Sequence, residues 1–301
     1  MPDHHPPVSG NLLGIFFMIV AMLAGVVTSL IVKEMSAVTV ILVILSLRFL
    51  TSIPPLTISA WVVRKADMFR INRWGMLIMR IIVGHTGIIL WFLSVKYATL
   101  GQATAFFQSS AIFVTLFSPF ILGEKVGVYR GCAVIAGLAG IYMITDPLSG
   151  EFNIGAVYGI GSALAGAVLV IVLRLLGRTE EPVSVAIWHN IVGAITYPVI
   201  AIITGLGTEI ITVAAIYPLT LVVFGIGATF VQIGFTSAYR YGEAVVLVPI
   251  RYLSVPLASA LGWIIWEEKL NFIEISGMVL VITACVVIAV REYILGRRQA
   301  A

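Results

Sequence analysis

The sequence predicts an all-α membrane protein: ten transmembrane helices built from two inverted five-helix repeats. Three observations carry that prediction. The 301-residue chain is 60% hydrophobic and 11% charged, with a mean hydropathy of +1.09, more apolar surface than a globular core absorbs. The apolar residues fall into ten runs of about 18 to 25 residues, each long enough to cross a bilayer as a helix. The stretch Tyr97–Val126, YATLGQATAFFQSSAIFVTLFSPFILGEKV, returns in altered form at Tyr241–Leu270. Moved forward by about 144 residues, Tyr97 falls on Tyr241, Ser118 on Gly262, and Glu124-Lys125-Val126 on Glu268-Lys269-Leu270.

In chain order, residues 1–10 lack the basic region of a cleavable signal, and the run that follows is long enough to span, so the first helix is expected to stay. His4 and His5 beside Pro6-Pro7 read as a disordered cytoplasmic tip. The first repeat, 11–146, places spans near Asn11–Val32, Val38–Val62, Trp74–Val95, Gly101–Leu122 and Val126–Thr145. Pro54-Pro55 is expected to end or kink the second of these. The second repeat, 147–291, places spans near Ile154–Leu176, Pro182–Thr204, Tyr217–Tyr239, Ala244–Trp266 and Phe272–Val290, leaving 292–301 as a cytoplasmic tail. Val63–Arg73 and Gly205–Ile216 read as the widest loops, too small to be domains. Cys132 and Cys285 both sit in apolar segments and read as packing residues, not a disulfide framework.

The net charge of +4 comes without a basic tract of the kind that binds nucleic acid, so the surplus reads as an orientation signal. With the N-terminus in the cytoplasm, twelve of the eighteen Lys and Arg residues fall in inner loops and helix ends, against three outside: Lys33, Lys96 and Lys269. Both termini are therefore expected inside. Arg48, Arg80 and Arg251 remain, and none belongs to a loop. Because each repeat holds an odd number of spans, the copies thread the membrane in opposite senses. Inverted repeats of this kind give many carriers two near-equivalent states around a midplane site.

Several residues carry a resemblance to a known family. An Arg-Phe pair lies inside the second helix (Arg48-Phe49), a helix ends in Gly123-Glu124-Lys125, and a glycine-bearing helix follows with Gly131, Gly137 and Gly140. Pro256, Gly262-Trp263, Glu268 and Gly277 repeat the pattern. Both halves resemble the EamA-type repeat of the drug/metabolite transporter superfamily, over essentially the whole chain. The resemblance implies a ten-helix carrier of small metabolites, often an exporter of amino acids or related amphipathic solutes. One departure is that the first copy carries Ile112 where the second carries Pro256, with Pro119 seven residues later, so the helix distortion is expected to differ between halves.

Polar residues far from helix ends are costly in lipid and should face the protein interior. Gly101, Thr104, Gln108, Ala111, Thr115 and Ser118 recur on one face of the fourth helix, and Gly225, Thr229, Gln232, Thr236 and Tyr239 on one face of the eighth. Such faces line a wet cavity or serve tight helix packing; Gln108 and Gln232 are the cavity candidates. Arg48, roughly 15 Å deep by a rise of 1.5 Å per residue, needs a carbonyl, an aromatic ring or a substrate carboxylate. Arg251, beside Tyr252, is expected on the pathway, whereas Arg80 is expected to snorkel to the inner headgroups. His85 and His189, the latter followed by Asn190, can carry a proton near physiological pH or sit as satisfied core imidazoles. Trp91 and Phe107 add interior rings suited to an amphipathic ligand with a carboxylate. No Asp or Glu sits at mid-span depth, which disfavours proton-coupled export of cationic drugs.

The expected function is thus a secondary carrier, most simply an amino-acid exporter, with substrate-binding candidates Arg48, His85, Trp91, Phe107, Gln108, His189, Asn190, Gln232, Tyr239, Arg251 and Tyr252. A nucleotide-sugar or drug carrier of the same fold is the alternative, and a phosphate-binding cation cluster would favour the former. A channel fits inverted repeats less well, and no hydrolase or metalloprotease motif marks an intramembrane enzyme. No catalytic residues, metal or cofactor are called for. The partners expected are a small-molecule substrate and the lipid bilayer of a bacterial inner membrane, without nucleic acid; a monomer is one state the sequence allows.

Overall fold

A computed structural model describes residues 8–121, 127–145, 153–176, 179–242 and 244–300, with the side chains of 8–11, 174, 239, 240, 244, 245, 292 and 295–300 outside the description. The turn at Gly123-Glu124-Lys125, the 146/147 repeat boundary and His4-His5 therefore lie outside the described residues, as does the side chain of Tyr239.

The elements are α1 (Val8–Val38), α2 (Ile41–Arg64), a 3-10 turn (Lys65–Phe69), α3 (Trp74–Tyr97), α4 (Leu100–Gln108), α5 (Ser110–Ile121), α6 (Val128–Thr145), α7 (Ile154–Leu176), α8 (Pro182–Ile203), α9 (Gly207–Ile216), α10 (Pro218–Tyr241), α11 (Ala244–Tyr252), α12 (Ser254–Trp266) and α13 (Phe272–Ala300). Among the described residues ten helical segments are long and apolar enough to cross a membrane, α4–α5 and α11–α12 each counting as one broken span. The chain is an integral membrane protein.

Two expectations change here. Pro54 and Pro55 do not end α2, which continues to Arg64. Pro55 cannot donate to the Thr51 carbonyl, and α10 packs onto that carbonyl so closely that a Cβ on Gly225 would lie 2.2 Å from it. A neighbouring helix thus covers the group the proline leaves free, which is how membrane helices tolerate proline. The loop read at Gly205–Ile216 contains α9, whose Val213, Ile210 and Ala214 pack on the core and whose Glu209 accepts a hydrogen bond from the Thr39 hydroxyl. At ten residues it is too short to span. Helix α13 runs on past the expected span end at Val290 to Ala300.

The packing repeats itself with the symmetry of the duplication. α1 lies along α10 as α3 lies along α7, while α2–α8, α4–α12 and α6–α13 pair corresponding spans of the two halves. Near one end of α1, a Cβ on Gly14 would lie 2.7 Å from the backbone of Gly242; in the other half Gly155 would meet Ala98 at 2.6 Å. Ala98 and Gly242 are equivalent in the duplication, so one close contact is built twice.

The fourth and ninth spans both break, at Ser109 and Leu253, which are equivalent positions. The expectation of differing distortion therefore fails: different chemistry makes the same break. In the first half the Ile112 amide bonds to Ser109 O (2.9 Å) while the Ser109 hydroxyl takes Phe106 O (2.6 Å), tightening the turn to i→i+3 bonding. In the second half Pro256 has no amide to offer Tyr252 O.

Candidate functional site

Two groups of buried polar side chains stand out in the bundle. The first is built from α2, α3, α8 and α10. On α2, Arg48 and Phe49 lie one turn from Ser52, so all three face α8. The Phe49 ring is surrounded by the rings of His85 (5.1 Å between centroids), His189 (5.4 Å) and Tyr197 (5.3 Å), and the Arg48 guanidinium sits 4.3 Å from the Phe49 centroid. The two histidine rings are 4.3 Å apart, and His85 Nδ1 lies 3.0 Å from the Tyr197 hydroxyl. Asn190 is fully engaged. Its Oδ1 accepts from Ser52 (2.9 Å) while its Nδ2 donates to Ala186 O (2.9 Å) and to Gln232 Oε1 (3.1 Å).

Arg80 joins this group, contrary to the expectation that it snorkels. It lies six residues from the α3 start at Trp74, yet its Nη1 lies against Gly84, one turn deeper, where a Cβ would stand 2.8 Å from it and 3.2 Å from the His189 ring. Glycine leaves room for the guanidinium to fold toward the bundle centre. Arg80 and the His189 ring thus meet at Gly84, and the Phe49 ring stands between Arg48 and the two histidines. Arg48 is 9% and Arg80 8% exposed. Nη1 of Arg48, Nε and Nη1 of Arg80, Nε2 of His85 and Nδ1 of His189 are buried without hydrogen-bond partners. Among the described residues the two histidines find no third His, Cys, Asp or Glu with which to hold a metal.

The second group is where the two helix breaks face each other. Gln108 Nε2 donates to Arg251 O (3.2 Å) and to the Ser254 hydroxyl (2.8 Å). Gln108 O, released by the α4–α5 break, faces the Tyr252 hydroxyl at 3.5 Å and Cys285 Sγ at 3.8 Å, both long contacts. Gln108 and Tyr252 are equivalent positions in the duplication, as are Phe107 and Arg251. The Arg251 guanidinium lies 5.3 Å from the Phe235 centroid, and Gln108 Oε1 and Arg251 Nε are buried without partners. Phe107 packs on Trp91 at 5.4 Å, whose Nε1 is likewise unpartnered.

The predicted residues therefore divide. Arg48, His85, His189, Asn190 and Gln232 come together, and so do Gln108, Arg251 and Tyr252, with Phe107 and Trp91 adjoining the break. The hydroxyls of Thr104, Thr115, Ser118, Thr229 and Thr236 bond carbonyls of their own helices, which suits packing faces. Sequence reasoning left out Arg80, Phe49, Tyr197, Ser52 and Ser254. The Arg80–Gly84 spacing, one turn apart, was the available signal. A groove of about 550 Å³ lies elsewhere, between α12 and α13, lined by Val255, Ser259, Trp263, Leu270, Met278 and Val279 among others. Trp263 and Val279 in its wall are more than half exposed and Glu268 and Lys269 also line it, whereas the two polar groups lie inside the bundle.

Known proteins agree with this architecture. A solved crystal structure superposes with a TM-score of 0.61 over 97% of this chain and 100% of its own, at 18% identity. The chain is 23% identical over 221 residues to the pseudopaline exporter CntI of Pseudomonas aeruginosa (71% of this chain, 74% of that one). It is 25% identical over 216 residues to a riboflavin transporter of Brucella anthropi (71% and 76%), and 23% over 206 residues to an S-adenosylmethionine uptake transporter of Rickettsia prowazekii (68% of each). The model of the EamA-like transporter family matches twice, at residues 12–146 and 153–290. Ten spans, paired breaks and two matched repeats together mean that the chain belongs to the EamA-like transporter family.

Proposed function

We propose that the chain is a secondary carrier that exports small amphipathic metabolites bearing a carboxylate, amino acids with apolar or aromatic side chains first among them, by alternating access across a bacterial inner membrane with both termini in the cytoplasm. The facing helix breaks carry this reading. Broken spans expose backbone groups that a continuous helix would consume, and here the breaks bring Gln108, Arg251 and Tyr252 to one place with Gln108 Oε1 and Arg251 Nε free to meet a solute. The Trp91–Phe107 pair lines the approach with rings suited to an apolar or aromatic side chain.

Proteoliposomes holding only this protein test the reading. Preloaded amino acids and related metabolites should exchange with external label, and Gln108→Ala and Arg251→Ala should slow exchange while leaving a folded, monodisperse protein. Failure of every such solute to move in either direction sinks the substrate claim. Normal flux in both variants returns the pair to a structural role. A second reading, a carrier of phosphate-bearing solutes such as nucleotide sugars, is favoured by the clustering of Arg48 with Arg80.

A further inference from the structure

The group around Arg48 and Arg80 poses a charge problem that the helix breaks do not answer. Two guanidiniums, each about nine-tenths buried, lie on neighbouring helices around the same histidine pair, Arg80 beside His189 at Gly84 and Arg48 on the Phe49 ring that packs on both histidines. The described Asp and Glu residues on the packed elements stand at or beyond helix ends, where Glu180 receives the Asn72 and Arg73 amides; α2 and α3 contain none, and α8 contributes only His189 and Tyr197 as titratable groups. Within the spans, then, the described groups facing the pair are His85, His189, Tyr197 and the neutral amides of Asn190 and Gln232. Burying two like charges without a counter-charge is expensive. The usual local remedies are used up: Asn190 and Gln232 are committed to each other, Phe49 serves only the Arg48 face, and Arg80 folds away from the nearer helix end.

The unpartnered atoms say what is missing. Guanidinium Nε and Nη atoms are donors only, so their partner must accept. Planar guanidinium forks match oxyanions in bidentate geometry. Two fixed positive charges call for two negative ones, and the histidine nitrogens beside them add further hydrogen-bonding positions. We infer that Arg48, Arg80, His85 and His189 form a binding site for a dianionic oxyanion of the phosphate-monoester type, with Phe49 and Tyr197 against its organic part. The anion is either the head of the transported solute or a counter-anion exchanged for it. A zwitterionic amino acid, carrying no net charge, leaves the pair uncompensated.

The inference concerns a second site, on α2, α3 and α8, and its test is independent of the helix-break reading. Purified full-length protein, in nanodiscs and low chloride, is titrated with inorganic phosphate and with phenyl phosphate by isothermal calorimetry, with phenylalanine as the zwitterionic comparison. Saturable binding of phosphate or phenyl phosphate is expected, phenyl phosphate the tighter, weakened about tenfold or more by Arg80→Gln and by Arg48→Gln, since each removes one charge-assisted partner. Gly84→Ala, which displaces the Arg80 guanidinium without changing charge, should weaken it several-fold and so separates position from net charge. No saturable binding to the wild type up to about 10 mM, roughly 3 kcal/mol of affinity, overturns the site, and that result needs no variant to fold. Unchanged affinity in the folded glutamine variants overturns it too. Export of labelled phenyl phosphate from vesicles assigns the site to the solute, and acceleration of solute exit by external phosphate assigns it to a counter-anion; either supports the site. Binding without any flux supports the site and defeats the carrier reading, whereas amino-acid flux without phosphate binding does the reverse.

Discussion

Glu268 is the side chain whose loss should most change how one end of the bundle holds together. It follows the end of α12, where Glu267 adopts the left-handed conformation at φ 55° and turns the chain. One carboxylate oxygen pairs with Lys33 Nζ of α1 at 2.7 Å; the other accepts the Leu100 amide at 2.7 Å, an otherwise unsatisfied donor in the first turn of α4. Lys33 also donates to Ala98 O at 2.6 Å. One carboxylate thus ties the second repeat to two helices of the first. Glu268→Gln keeps an acceptor for Leu100 and removes the charge. A hydrogen bond to a charged group contributes about 1.5–3 kcal/mol; the pair's side chains are 12–16% exposed, so solvent screening discounts that modestly, to about 2 kcal/mol. If the tie holds this end shut, the open population should rise by roughly thirtyfold, at 1.4 kcal/mol per decade. In a Cys132→Ser, Cys285→Ala background, Ala103→Cys reports opening, because Ala103 is fully buried on α4. Its maleimide labelling from the Lys33 side should accelerate at least tenfold in Glu268→Gln. The charge swap Lys33→Glu with Glu268→Lys should restore only part of the closure, since lysine cannot accept the Leu100 amide. Equal labelling rates with and without Glu268→Gln would refute the reasoning.

Other outcomes follow from close approaches. Gly225→Ala drives a methyl to 2.2 Å from Thr51 O, a backbone atom that cannot step aside, and should cost upwards of about 3 kcal/mol, read as a fall in detergent melting temperature; Gly131→Ala, with nothing within 4 Å, should be neutral. Gly193→Ala meets the Phe49 ring at 2.5 Å, and because a ring yields less than a flexible tip, about 1–3 kcal/mol of destabilisation is expected in the same assay. Gln108→Leu strands Arg251 O and the Ser254 hydroxyl and should cost about 1–2 kcal/mol. Tyr252→Phe, which removes the hydroxyl facing Gln108 O at 3.5 Å and keeps the ring, should cost less than Gln108→Leu when both are measured side by side.

The spans were legible because a bilayer imposes length and polarity on every crossing: Ile154–Leu176 and Pro182–Ile203 stand within a residue of where apolar runs between charges and prolines put them. α9 was not, since ten apolar residues in a connection satisfy no spanning criterion and only tertiary partners, the core under Val213 and the Thr39 hydroxyl, mark them as structured. The proline pair in α2 misled because its effect depends on α10, a helix far away in sequence. The candidate site was half legible. A polar residue in a span announces itself singly, so Arg48, His85, His189 and Gln108 could be picked out one by one. Which of them meet is a matter of helix rotation, which hydropathy does not encode. Arg80 illustrates the gap: depth alone suggested the headgroups, and the direction taken by its side chain was decided by the absence of a Cβ on Gly84.

The paired breaks show how duplication constrains and releases a sequence at once. Backbone geometry at Ser109 and Leu253 is the same because both spans must deliver an interruption to the same depth from opposite directions. Any chemistry that removes one i→i+4 bond will do, so one half uses a serine-tightened turn and the other a proline. The side chains are under no such obligation. At the break itself, residues 107–110 against 251–254, Phe107 answers Arg251, Gln108 answers Tyr252, and only Ser110 and Ser254 agree. On the proposed carrier reading, a solute between the breaks would meet an apolar ring from one repeat and a guanidinium from the other, whichever end of the bundle is open. On that reading, equivalent backbones permit two near-equivalent states, while the unequal side chains would orient the solute within them. Exchanging the pair, Phe107→Arg with Arg251→Phe, should then preserve folding and reverse the sense in which an asymmetric solute is held, detectable as altered selectivity among carboxylates with unchanged thermal stability. Loss of the fold on exchange would show instead that the asymmetry belongs to packing.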